Sequence, residues 1–149
     1  MTTDTTLHAG EAEGHKAKSF ARHLPTAARI LMGLLFLVTG LNGFLHFLPE
    51  PSTPMPEFAG ALLRTGYMFP MIMGTQLIVG ALLLSNRFVP LALALIAPVV
   101  VNILAFHAFL APSGLGLAVV VLALEVYLAW SYRMVYRPML AMRAAPGSR

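Results

Sequence analysis

Four apolar stretches, at about residues 26–48, 67–84, 88–111 and 114–132, constrain this chain more than any other feature. A transmembrane helix needs about 20 predominantly apolar residues, and each stretch is close to that length. The other spanning architecture is a closed barrel, which would read as segments of about 10 residues alternating in polarity. These stretches do not alternate. Composition agrees, with 58% hydrophobic and 11% charged residues and a mean hydropathy of +0.76; soluble domains carry about 25% charged residues. So few polar groups cannot coat a water-facing surface. The expected fold is all-α, a polytopic membrane protein built as a four-transmembrane-helix bundle, and 149 residues suit one domain.

Residues 1–24 read as a polar, disordered cytoplasmic tail with no cleavable signal peptide. Residues 25–138 form the transmembrane domain, and 139–149 a basic cytoplasmic tail. Pro25 suits the first turn of a helix, and Arg29 lies where its stem can snorkel to the interface. Pro49, Pro51, Pro54 and Pro56 stop the first span. Glu57 to Thr65 is a short amphipathic piece, with Phe58, Leu62 and Leu63 against Glu57 and Arg64. It is too short to span and is expected at the interface, in the first outer loop. Pro70 opens the second span, Ser85-Asn86-Arg87 forms a turn, and Pro98 predicts a kink in the third span. Pro112-Ser113-Gly114 then leads into the fourth.

Basic residues orient the bundle. The N-tail, the 85–87 turn and the C-tail share one side, which carries Lys16, Lys18, Arg22, Arg29, Arg87, Arg133, Arg137, Arg143 and Arg149; the other side carries Arg64 alone. The positive-inside rule then puts both termini in the cytoplasm. Trp130, Tyr132 and Tyr136 at one end and Tyr67 at the other fit aromatic belts. The basic residues form no helix-borne face, so no nucleic-acid partner is expected. The absence of cysteine excludes thiol–disulfide chemistry, cysteine-ligated clusters and covalent haem attachment.

Six polar residues interrupt the spans: Asn42, His46, Gln76, Asn102, His107 and Glu125. Counting at 1.5 Å per residue puts Asn42, Gln76, Asn102 and Glu125 roughly 9–17 Å below the outer surface, with both histidines nearer that surface. One polar layer in the outer half of the bundle is therefore expected. The amides also suit interhelical hydrogen bonding, worth about 0.6 kcal/mol each, and the glycines suit close helix packing. Glu125 is different: an acid deep in an apolar span marks a functional site by default, which makes it the candidate buried acid. With the histidines it would move protons to or from a redox headgroup such as a quinone. Two histidines facing each other across a bundle would instead hold a haem b, but nothing in the sequence makes them face; the sequence leaves the cofactor unknown, with quinone ahead of haem b. The His and carboxylate residues are not clustered tightly enough for a metal site. The Asn42–His46 and Asn102–His107 segments also suggest two related halves, arranged as parallel repeats about the membrane normal.

Several motifs in order are familiar. Gly40-Leu41-Asn42-Gly43-Phe44-Leu45-His46-Phe47, Pro54-Met55-Pro56 and Thr65-Gly66-Tyr67-Met68-Phe69-Pro70 are followed by the run Leu84 to Leu93, then Ala97 to Ile103 and Phe106-His107. Together, over about residues 26–140, they resemble the DoxX family of small four-helix bacterial membrane proteins. The resemblance implies an inner-membrane location and a role as a subunit beside a quinone-linked or other membrane redox complex, with other redox subunits as partners. In many members an acid occupies the position of Gln76, so this chain lacks one ionisable group, and no catalytic residue is carried over. The alternative is a non-catalytic scaffold or small-molecule permeation module, in which the polar cluster only specifies helix packing.

Overall fold

A computed structural model describes the backbone of residues 4–49 and 54–140, with side chains for 23–49 and 54–138. All regular structure among these residues is helical: α1 (Asp4–Leu45), α2 (Glu57–Arg64), α3 (Met68–Leu84), α4 (Val89–Phe109), α5 (Leu115–Ser131) and α6 (Arg133–Tyr136). Short 3-10 turns occupy Pro112–Gly114 and Arg137–Leu140. Pro25 lies inside α1 rather than at its start, because the preceding Ala-, Glu- and Lys-containing segment favours helix. The side chains of the expected polar tail, up to Arg22, and the C-terminal tail from Ala141 onward lie outside the described residues.

Three helical segments are long and apolar enough to cross a membrane: His23–Leu45, Val89–Phe109 and Pro112–Ser131. The fourth candidate is a bent pair, α2 with α3, whose axes turn through 94°. Thr65 and Gly66 make that bend. The Thr65 hydroxyl donates to Leu62 O at 2.6 Å and accepts from Met68 N–H at 3.1 Å, so one side chain closes α2 and opens α3. Gly66 takes φ +76°, a left-handed conformation that glycine adopts without steric cost.

The four long helices form a ring in which α1 packs on α3, α3 on α4, α4 on α5, and α5 back on α1. Each turns one periodic stripe inward: Ala28, Met32 and Phe36 on α1; Val79, Gly80 and Leu83 on α3; Val89, Ala92, Leu93, Ile96 and Val100 on α4; Ala118, Val121 and Leu128 on α5. Only 33%, 28% and 22% of the three long apolar windows is buried. Their outer faces are apolar as well, including Leu31, Ile78, Val101, Leu117 and Val126. Helices that are hydrophobic all round belong in a large core or a membrane.

The α1–α3 seam is the closest in the bundle. A Cβ placed on Gly80 would lie 2.6 Å from Leu37 N, and one on Gly40 would lie 2.9 Å from both Leu77 N and Met73 O. Small residues let these two backbones approach to near contact. Arg29 closes one end of the seam. It is 8% exposed, and its guanidinium donates to Leu83 O and, at 3.5 Å, to Leu84 O. The expected snorkelling arginine is thus a cap on α3, because the last carbonyls of a helix have no intrahelical donor and carry partial negative charge.

Candidate functional site

Gln76 occupies a place on the inward stripe of α3 that would otherwise be apolar, and it is 5% exposed. Thr39 Oγ1 lies 2.6 Å from Gln76 Oε1 and 2.9 Å from Leu35 O. A hydroxyl has one proton, and the shorter contact takes it. With its oxygen satisfied, Gln76 keeps its amide N–H groups as donors.

Those donors border a cavity of about 380 Å³ between α3 and α4, roofed by α2. Phe58 and Leu62 descend from the roof; Met68, Phe69, Ile72 and Met73 come from α3; Val99, Ile103 and Phe106 come from α4. The Phe58 and Phe106 rings pack 6.2 Å apart, joining roof to wall. Three polar residues line it: Gln76, Asn102 and His107. His107 Nδ1 lies 2.9 Å from Ala111 O. A carbonyl can only accept, so Nδ1 carries the proton and Nε2 is left as an acceptor. The ring also meets Phe106 edge-on at 5.2 Å and rests on Gly114, where a side chain would collide with it. An apolar cavity with amide donors and one imidazole acceptor is suited to a flat amphiphile bearing carbonyl or hydroxyl groups.

The six residues expected in one layer divide among three places. Gln76, Asn102 and His107 share the cavity. Asn42 and His46 terminate α1: Asn42 Oδ1 accepts from Leu48 N–H at 2.7 Å, and exposed His46 takes φ +50° just past the last helical residue, its N–H bonded to Asn42 O at 2.9 Å. This left-handed residue ends the helix at Leu45, short of the expected Leu48. His46 is exposed just past the end of α1, whereas His107 lines the cavity between α3 and α4, so the two histidines do not share one pocket. Glu125 lines a separate recess between α4 and α5 with Leu93, Ala97, Trp130, Arg133 and Tyr136. Burial first, and then the nearby Glu125 charge, hold the Tyr136 phenol above its ordinary pKa. Its hydroxyl donates to Pro90 O at 2.8 Å.

The residue missed from sequence is Thr39. It lies three positions before Asn42, on the same helix face, and that spacing was the available signal. The chain matches no family model, no curated protein and no solved structure.

Proposed function

We propose that the chain is a DoxX-like, multi-pass protein of the bacterial inner membrane that serves a quinone-linked or other membrane redox complex by holding the quinone headgroup. The observation that carries this reading is the cavity under α2, in which Gln76, Asn102 and His107 are the polar points on an apolar wall. The residues present fit such a group. The Gln76 and Asn102 amides would donate to the carbonyls of the quinone, His107 Nε2 would accept from a hydroxyl of the quinol, and the Phe58 and Phe106 rings would exclude water from the ring face. The quinone supplies the redox chemistry when bound; the chain binds and orients it and provides a proton acceptor at Nε2.

Protein purified in mild detergent is expected to release about one quinone per chain on solvent extraction, read by absorbance. The double variant Asn102→Leu/His107→Leu removes two hydrogen bonds, and its quinone content at limiting quinone is expected to fall about tenfold. No extractable quinone in the wild type, with an unchanged respiratory phenotype in that variant, would leave the scaffold or permeation reading. The Thr39–Gln76 hydrogen bond and the glycine seam are what favour that second reading.

The topology we infer puts both termini and the Ser85–Arg87 turn in the cytoplasm, on the charge asymmetry of nine basic residues against one. Because the chain has no cysteine, single-cysteine labelling is clean. A membrane-impermeant maleimide is expected to label Ser113→Cys in intact spheroplasts and to leave Ser85→Cys unlabelled until lysis. The reverse pattern would invert the bundle.

A further inference from the structure

The recess between α4 and α5 plays no part in the reading above and has its own chemistry. It has a volume of about 450 Å³. Its apolar side is built from Leu93, Ala94, Ala97 and Ala129, and the short alanine side chains leave the space between α4 and α5 unfilled there. Glu125 stands on the inward stripe of α5, is 6% exposed, and its Oε2 has no hydrogen-bond partner. A buried acid is normally paired or hydrogen-bonded. No side chain of α4 between Val89 and Asn102 is charged, and Arg29 of α1 is taken up by the α3 carbonyls. Of the groups lining the recess, only Arg133 and Tyr136 also titrate. Tyr136 gives its proton to Pro90 O. Arg133 is exposed at the mouth, where its guanidinium lies 5.0 Å above the Trp130 ring and donates to Trp130 O at 3.1 Å.

The Trp130 face therefore already receives a cation, and an acid without a counter-ion lies further in. Carboxylate and aromatic rings around an apolar hollow are the elements that recognise amines and quaternary onium ions. We propose that this recess is a binding site for a lipophilic organic cation, with Glu125 as its counter-ion and the Trp130 and Tyr136 rings as its aromatic wall. Arg133 guards the mouth: it covers the indole when the site is empty and swings away, still solvated, when a ligand enters.

Trp130 is the only tryptophan in the chain, so its emission reports on this recess directly. Full-length protein in detergent is titrated with tetraphenylphosphonium, a permanent cation, and with triphenylphosphine oxide, a neutral molecule of similar shape. The cation is expected to quench Trp130 saturably and the neutral molecule is not. Glu125→Gln is expected to weaken the cation about tenfold or more, and Glu125→Asp to keep most of the affinity. Arg133→Gln uncovers the indole and removes a like charge, and is expected to tighten binding a few-fold. That arm leaves Glu125 intact, so it decides the matter even if Glu125→Gln does not fold. Quenching without saturation in the wild type, equal quenching by the neutral molecule, unchanged affinity in a folded Glu125→Gln protein, or no tightening in Arg133→Gln would each overturn the proposal. Quinone content is measured on the same samples and is expected to be unaffected, which keeps the two sites' outcomes separate.

Discussion

Gly80→Val is expected to be the most destabilising single change in the described bundle. A Cβ at this position would meet Leu37 N at 2.6 Å, Leu37 Cα at 2.9 Å and Gly33 O at 3.0 Å. All three are backbone atoms of α1, so no side chain can rotate out of the way and the helix itself must move. Overpacking of this kind costs about 1–3 kcal/mol, and valine's second and third carbons push toward the upper end. The measurement is thermal unfolding in detergent followed by helical circular dichroism. Gly74→Ala is the matched control, because a Cβ there meets nothing within 4 Å, and alanine should add up to about 1 kcal/mol of helix propensity. If both variants lower the midpoint equally, close contact along the α1–α3 seam is not what holds these helices together.

The second large effect is expected from Arg29→Met, which keeps the apolar stem and deletes the guanidinium. Leu83 O also accepts from Asn86 N–H at 3.2 Å, so the arginine supplies its second bond and adds positive charge at the end of the α3 dipole. A charged hydrogen bond of this kind contributes about 1.5–3 kcal/mol. Both contacts come from one nitrogen, Nη1, so Arg29→Lys is expected to restore part of the loss, the remainder reflecting the stronger hydration of an ammonium and its greater cost of burial. Because Arg29 is buried, the loss should persist in high salt, unlike that of a surface pair. Unfolding midpoints for the three proteins at low and high salt test this. A midpoint for Arg29→Met equal to wild type would show the contact to be incidental.

The helices themselves were legible because hydropathy, proline positions and turn residues act locally. The α2 segment was legible for the same reason: its charged ends flank an apolar face, and Thr65-Gly66 supplies the turn. The partition of the polar residues was not. Counting residues gives a level along a helix but not a direction around it, and helices apolar on every side carry no moment to say which face turns inward. Asn102 and Glu125 were expected at similar depth, yet α4 presents Asn102 to the α3 side while α5 turns Glu125 toward Leu93 and Ala97. His46 was read for its imidazole, whereas its structural role lies in its backbone, at a left-handed stop that the side chain does not announce. Arg29 was placed at the correct level, but its acceptors are main-chain carbonyls of a helix more than 50 residues away in sequence.

At 17 residues, α3 spans about 26 Å, some 4 Å less than a typical hydrocarbon layer. In the membrane we propose, lipids beside α3 must shorten or tilt to match it. Placed at the end where the chain turns through 94° into α2, the shortfall would fall beside the mouth of the cavity. A dimple in the outer leaflet would form there, lowering the headgroup layer toward Asn102 and His107. A long-tailed amphiphile could then slide in sideways from the leaflet, with its tail still among the acyl chains.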